Sequence, residues 1–313
     1  MVEIVVLDQD AALYAGAIRG AMPEATVHAV ASAGAAAACG GGADVLVALA
    51  HEVPDALVAA MPRLRWIQAL TTGTDHLAGL ASLPPAVTLT SARGIHGPQM
   101  AELAVMAMLA LSRNLRGMLA NQAQARWQRW PQPLLLGKTA VLVGVGAIGE
   151  ALAPHCKGFG MRVVGVSDGR GAAPGFDAIV PRAQLAQAAA AADFLVVLVP
   201  YEAATHRIVS RDVIAAMRPS AFLLNLARGK VVDEPALAEA LQAGRIAGAG
   251  LDVFEVEPLP PGSPLWGMAN VILTPHVGGL SDNYAAQATP LLLANLAAYA
   301  AGDMEGMRNV VRR

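Results

Sequence analysis

A chain of 313 residues is longer than one ordinary hydrophobic core, so two domains are expected. Apolar residues make up 55% of it and charged residues 15%, a balance that excludes an intrinsically disordered chain. No uninterrupted apolar span reaches the roughly 18 residues of a membrane helix, two cysteines are too few for a disulfide framework or a zinc cluster, and a net charge of −2 gives nucleic acid no electrostatic footprint.

From the amino end, residues 3–7 form a β-branched run that stops at Asp8. Residues 44–50, 65–70 and 87–90 follow as strands, with Ala- and Leu-rich intervals between the earlier ones. This alternation predicts a small parallel α/β layer. The texture changes at Pro98: residues 98–118 are predicted as one long helix with Pro in its first turn. The segment 126–131, Arg-Trp-Gln-Arg-Trp-Pro, is unusually aromatic for this chain. A second series begins at Gly137, with strands at 139–143, 162–166, 194–199, 221–226, 248–251 and 271–273. Helices are predicted at 148–159, 183–191 and 234–243. Continuous apolar runs of this kind suit parallel strands covered on both faces, and the series predicts a doubly wound sheet. A last helix, 283–301, has no strand after it and is expected to return to the first domain.

The strand 139–143 runs directly into Gly144-Val145-Gly146-Ala147-Ile148-Gly149, which opens a helix. Gly144 permits the tight turn, Gly146 lets the backbone approach a pyrophosphate, and Gly149 lets helix and strand pack closely. An anion at that position meets unpaired N–H groups and the positive end of the helix dipole. In this context Gly144, Gly146, Ala147, Ile148 and Gly149 predict a dinucleotide site. The next strand runs into Ser167-Asp168-Gly169-Arg170. An acid about twenty residues beyond the loop binds the adenosine ribose in NAD proteins. Asp168 is placed for that, or it is simply a turn residue before Gly169. NAD is the expected cofactor, with NADP kept as an alternative.

Three ionisable residues occupy loops after or near the later strands: Arg228 in Ala227-Arg228-Gly229, Glu257 before Pro258, and His276 in Thr274-Pro275-His276. Ligands of open parallel sheets bind outside the carboxyl ends of the strands, so such loops can converge. Together with the glycine loop, these segments resemble the D-isomer-specific 2-hydroxyacid dehydrogenase family. The resemblance extends over essentially the whole chain, from Trp66-Ile67-Gln68 and Gly73-Thr74-Asp75-His76 to Thr274-Pro275-His276. It implies an α/β protein of two doubly wound, parallel-sheet (Rossmann-like) domains flanking a cleft, and a homodimer. The expected division is a discontinuous substrate domain, 1–97 with 284–313, and a dinucleotide-binding domain, 98–283. The implied activity moves a hydride between NAD(P)(H) and a small 2-oxo or 2-hydroxy acid of the glyoxylate or hydroxypyruvate kind.

The resemblance also assigns residues. Arg228, Glu257 and His276 form the catalytic trio, and Thr72 and Gly73 join Arg228 and His276 as substrate contacts. Cofactor contacts are expected from the glycine loop and from Ser167, Asp168, Arg170, Pro200, Thr205, Ala227, Asp252, His276 and Gly278. The chemistry of reduction supports the trio. The carbonyl oxygen needs a proton, which His supplies near neutral pH. A carboxylate on the other ring nitrogen fixes the tautomer, and Arg presents a planar fork to a carboxylate. Glu255 competes with Glu257 for that role, and the resemblance favours the residue before Pro258.

Two features set this chain apart. The family's NAD-type acid aligns with Ser167, one position before Asp168, whereas NADP-using members often carry Ser or Thr there followed by Arg. Formate dehydrogenases of the family have Gln where this chain has Glu257, which argues against formate. The alternative to an enzyme is a dinucleotide-sensing, corepressor-like binding protein. The 126–131 segment is expected to be dimer surface. The start Met1-Val2-Glu3 runs straight into a strand without a basic secretory leader, so the expected setting is cytoplasmic, with no membrane, nucleic-acid or metal partner.

Overall fold

The computed structural model describes residues 1–312; Arg313, which closes the expected substrate-domain range, lies outside them. Met1–Ile95 with Ser281–Arg313 makes one compact unit and His96–Leu280 another. In the first unit, β1 (Glu3–Leu7), β2 (Thr26–Val30), β3 (Val45–Ala48), β4 (Trp66–Ala69) and β5 (Thr88–Thr90) pair in parallel, in the order β2-β1-β3-β4-β5. Helices α1 (Ala11–Ala21), α2 (Ala33–Cys39), α3 (Asp55–Ala59) and α4 (Asp75–Ala78) connect them. Successive side chains of a strand face opposite sides, and both sides are buried here. Val5, Leu7, Leu46, Ala48 and Ile67 pack with Ala36 of α2 and Leu57 of α3, whereas Ile4, Val6, Val45 and Val47 pack with Tyr14 and Ile18 of α1. Double burial is why these strands are continuous apolar runs. The edge strand β2 escapes the sequence pattern because Thr26 and Ala29 are exposed and His28 breaks its apolar run.

The second unit begins with α5 (Gly97–Ser112) and α6 (Leu115–Ala123), so the single helix expected at 98–118 is corrected to two, bent by 65°. The break is built by Asn114, which adopts the left-handed conformation (φ 53°) and caps α6 by accepting the Gly117 N–H at 3.2 Å. Asn pays little for that conformation and is a favoured cap. No single helix among the described residues is long and apolar enough to cross a membrane. The sheet contains β6 (Thr139–Val143), β7 (Arg162–Val166), β8 (Ala178–Val180), β9 (Phe194–Val197), β10 (Phe222–Asn225), β11 (Gly248–Leu251) and β12 (Val271–Leu273). Intervening helices are α7 (Ala147–Gly158), α8 (Leu185–Ala191), α9 (Arg211–Ala216) and α10 (Glu234–Gln242). All seven strands are parallel, ordered β12-β11-β10-β9-β6-β7-β8, so the winding direction reverses between β6 and β9. Both regions are therefore doubly wound parallel sheets with Rossmann-like character. The short edge strand β8, Ala-Ile-Val, is half-buried throughout, and three residues are too few to stand out as a strand.

The chain then returns to the first unit as α11 (Tyr284–Ala300), whose Ala288, Leu292 and Leu296 complete the core beneath α1.

Candidate active site

The glycine loop has the geometry its residue types require. Gly144 has a φ of +113°, and a Cβ there would lie 3.1 Å from the carbonyl carbon of Leu198. A Cβ on Gly149 would lie 2.7 Å from the Gly144 oxygen, so α7 can press against β6 only without one. Gly146 caps α7 with no side chain on the helix N–H groups, and a Cβ there would project into open space. These features fit a dinucleotide: the backbone from Gly144 to Gly149, through Ala147 and Ile148, can cradle a pyrophosphate at the helix N-terminus.

At the end of β7, Ser167 Oγ accepts the Gly169 N–H at 3.3 Å. Asp168 is engaged by a residue outside its own turn. Its Oδ1 accepts the Arg182 N–H at 2.8 Å, and its Oδ2 lies 3.6 Å from Arg182 Nε. Arg170 pairs with Glu150 of α7. After β9, the Thr205 hydroxyl donates to the Pro200 carbonyl at 2.7 Å and accepts the Glu202 N–H at 2.8 Å. Thr205 is wholly enclosed, so its hydroxyl braces the turn that carries Pro200.

The structure brings Glu257 and His276 together, with Glu257 Oε2 2.6 Å from His276 Nδ1. Glu257 Oε1 accepts the Phe254 N–H at 2.9 Å, which aims the carboxylate. Burial pushes the Glu257 carboxyl up, but hydrogen bonds from His276 and Phe254, with the charges of His276 and Arg228, outweigh it and hold the group below the usual glutamate range. Glu255 is directed elsewhere: its carboxylate pairs with Arg207 at 3.4 Å, and its N–H donates to Glu234 Oε2 at 2.8 Å. Of the two competing carboxylates, Glu257 faces the histidine.

Asp252, at the end of β11, organises the His276 turn. Its main-chain oxygen accepts the His276 N–H at 2.9 Å. Its carboxylate accepts the Thr274 hydroxyl at 2.6 Å and the N–H groups of Val277 and Gly278 at 3.0 Å each. A Cβ on Gly278 would lie 2.8 Å from Asp252 Oδ2, so the close approach depends on glycine. Arg228 follows β10 on an extended backbone, and Ala227, beside it, is buried. A Cβ on Gly229 would fall 1.8 Å from the Phe254 carbonyl carbon, which presses the Arg228 loop onto the loop that leads to Glu257. Thr72 and Gly73 lie in the first unit after β4, where the Thr71 hydroxyl donates to the Gly73 carbonyl at 2.7 Å. Asn225, Glu234 and Arg182 were not singled out from the sequence. Asn225 had a readable signal, an amide side chain ending an apolar strand, whereas Arg182 meets Asp168 across 14 residues of chain.

A model of the D-isomer specific 2-hydroxyacid dehydrogenase, NAD binding domain, matches residues 105–278. A glyoxylate reductase of Korarchaeum cryptofilum is 32% identical over 268 residues, 83% of this chain and 81% of that protein. The chain belongs to the D-isomer specific 2-hydroxyacid dehydrogenase family. A glyoxylate reductase of Thermococcus onnurineus is 33% identical over 271 residues, with the same shares covered. Among solved structures, a family member from Aeromonas salmonicida is 32% identical with a TM-score of 0.91, covering 99% of both chains. The glyoxylate/hydroxypyruvate reductase of Sinorhizobium meliloti, in complex with NADP and sulfate, is 27% identical with a TM-score of 0.82, covering 99% of this chain and 98% of that one. As a member of the 2-hydroxyacid dehydrogenases, this protein is an NAD(P)-dependent oxidoreductase working by hydride transfer, and the comparisons favour that over a corepressor-like binding protein.

Proposed function

We propose that this enzyme reduces a small 2-oxo acid of the glyoxylate or hydroxypyruvate kind, with Arg228, Glu257 and His276 as its catalytic residues. The observation that carries the reading is the 2.6 Å contact between Glu257 and His276, made by a carboxylate that the Phe254 N–H has already aimed. When bound, NAD(P)H supplies the hydride that reaches C2. His276 gives a proton to the carbonyl oxygen through Nε2, the ring nitrogen that Glu257 does not hold. In the oxidative direction the same nitrogen takes the proton from the hydroxyl. The guanidinium of Arg228 binds the substrate carboxylate with paired N–H donors. Thr72 and Gly73 of the first unit offer backbone N–H groups to the same class of substrate.

In the second unit, the N-terminus of α7 takes the pyrophosphate, and Ser167, Asp168 and Arg170 attend the adenosine ribose. Pro200, Ala227 and Gly278 form backbone walls for the cofactor, and Thr205 supports the first of them. Asp252 Oδ2 accepts one N–H from Gly278, which leaves it an acceptor position for the nicotinamide carboxamide. We place the dinucleotide on His96–Leu280 and assign Thr72 and Gly73 to the substrate domain. A cytoplasmic homodimer is the proposed form. Its surface is the run from α6 onward, where Leu119, Trp127, Leu134 and Leu136 are all more than half exposed.

The test is oxidation of NADH and NADPH by the purified protein against a panel of 2-oxo acids. Turnover is expected with glyoxylate or hydroxypyruvate. Failure to oxidise either cofactor with any acid of the panel would sink the proposal.

A further inference from the structure

We propose that Asn225 is the positioning residue for Arg228: its amide fixes the two peptide groups beside the guanidinium and thereby sets substrate binding. The proposal rests on the reading of Arg228 as the substrate-carboxylate residue. Asn225 closes β10 and is 2% exposed, at the end of the apolar run Phe222-Leu223-Leu224. An amide in such a place costs free energy unless both its ends are hydrogen-bonded. Both are. Asn225 Oδ1 accepts the Ala227 N–H at 3.2 Å, and Nδ2 donates to the Arg228 carbonyl at 3.0 Å.

This bracing acts where the sheet stops supporting the chain. The Leu226 N–H is still paired across to the Val197 carbonyl at 3.2 Å. One residue later, the Ala227 N–H takes the Asn225 side chain instead. The far end of the loop is fixed by Gly229 against the Phe254 backbone, where no Cβ fits. Arg228 is therefore held between an amide brace and a backbone contact. Its Nη1 also donates to the Ala227 carbonyl at 2.7 Å, so the guanidinium takes its direction from the 227–228 peptide, which lies between the two peptides that Asn225 holds. The role needs an acceptor and a donor on one short planar group, a combination that Asn supplies and Asp, Leu and Ala do not. Asn225 also accepts the Asp252 N–H at 3.1 Å through its main-chain oxygen, an interaction that substitution of its side chain leaves in place.

The experiment is a double-mutant cycle of Asn225→Ala with Arg228→Lys, read by kcat/KM for glyoxylate and by binding of oxamate, an unreactive 2-oxo acid isostere, to the NADH-loaded enzyme. Asn225→Asp is added because it is isosteric, keeps the acceptor and removes the donor. Both Asn225 variants are expected to weaken oxamate and to lower kcat/KM by about ten- to a hundredfold, with NADH affinity within about twofold of wild type. In the Arg228→Lys background, Asn225→Ala should cost less than about twofold, because the group it positions is already lost. A residue that merely supports the fold would instead weaken NADH and oxamate alike and keep its full effect in that background. Either of those results overturns the proposal, as does unchanged oxamate binding in both Asn225 variants. If Arg228→Lys alone leaves kcat/KM unchanged, it is the assignment of Arg228 that has failed, and the inference falls with it.

Discussion

The main-chain carbonyl of Asp252 accepts the His276 N–H at 2.9 Å, while its carboxylate accepts the next two N–H groups of the chain at 3.0 Å each. That clasp holds His276 at a φ of +53°, a left-handed conformation that non-glycine residues adopt at a cost of about 1–2 kcal/mol. The Thr274 hydroxyl adds a fourth bond, at 2.6 Å to Asp252 Oδ1. Thr274→Val removes that donor and should cost about 1 kcal/mol of stability, with Thr274→Ser near wild type. The Val variant should also lose kcat/KM as the turn relaxes. Thermal unfolding and steady-state kinetics on both variants check this, and equal behaviour of Val and Ser would show that the hydroxyl does not hold the turn.

On the proposed assignment of Asp168 to the ribose site, cofactor choice depends on the Asp168–Arg182 pair. A free carboxylate at the ribose repels a 2′-phosphate, but here the Arg182 main-chain N–H holds Oδ1 of Asp168 and the guanidinium lies 3.6 Å from Oδ2, the contact that an alanine would remove. NADH should therefore be preferred over NADPH by a narrow margin. Arg182→Ala uncovers the charge and should weaken NADPH relative to NADH, whereas Asp168→Ala should shift the ratio the other way. Dissociation constants for both cofactors, measured by quenching of protein fluorescence, give the ratio directly. Opposite signs would remove Asp168 from the ribose site.

Much of the fold was legible because the sequence carries its steric requirements. Gly144 is a glycine because its φ of +113° strains any side chain and Gly149 because a Cβ has no room there, and the loop was readable for those reasons. The central strands were readable because both faces are buried. Strands β2 and β8 lie at sheet edges, half solvated; His28 interrupts the run of the first, and the second has only three residues. The break between α5 and α6 depends on a single left-handed Asn114, which a helical periodicity passes over. At the site, Arg228, Glu257 and His276 could be named from motifs. Which carboxylate meets the histidine was not legible from spacing alone, because Glu255 and Glu257 are two residues apart and differ in the partners that packing gives them.

The exposed apolar side chains from α6 onward, interleaved with Arg and Gln, make a prediction about assembly. Trp127 is 87% exposed and Leu136 67% exposed in the single chain, an arrangement that favours burial against a second copy. Light scattering at micromolar concentration should give twice the 32.1 kDa of one chain. Trp127→Glu should shift the population toward monomer. A monomeric mass for the wild-type protein would refute this assembly.

The most direct test of the account is the pH dependence of the Glu257–His276 pair. Glu257 is held below the usual glutamate range, so its charge adds stability above the unfolded carboxyl range and is lost as pH falls through the lower folded value. It is therefore an anion facing His276 throughout the neutral range. On the proposed mechanism, reduction uses protonated His276 and oxidation uses the neutral ring. Glu257→Gln keeps the shape and a hydrogen bond but removes the charge that faces the imidazolium. The measurement is kcat/KM against pH in both directions for wild type and Glu257→Gln, with a primary isotope effect from deuterated cofactor confirming that chemistry limits the rate. The account predicts that reduction in the variant is lost at lower pH than in wild type and that oxidation reaches its plateau at correspondingly lower pH, because one proton governs both limbs. A reductive limb that stays in place or moves upward would contradict it.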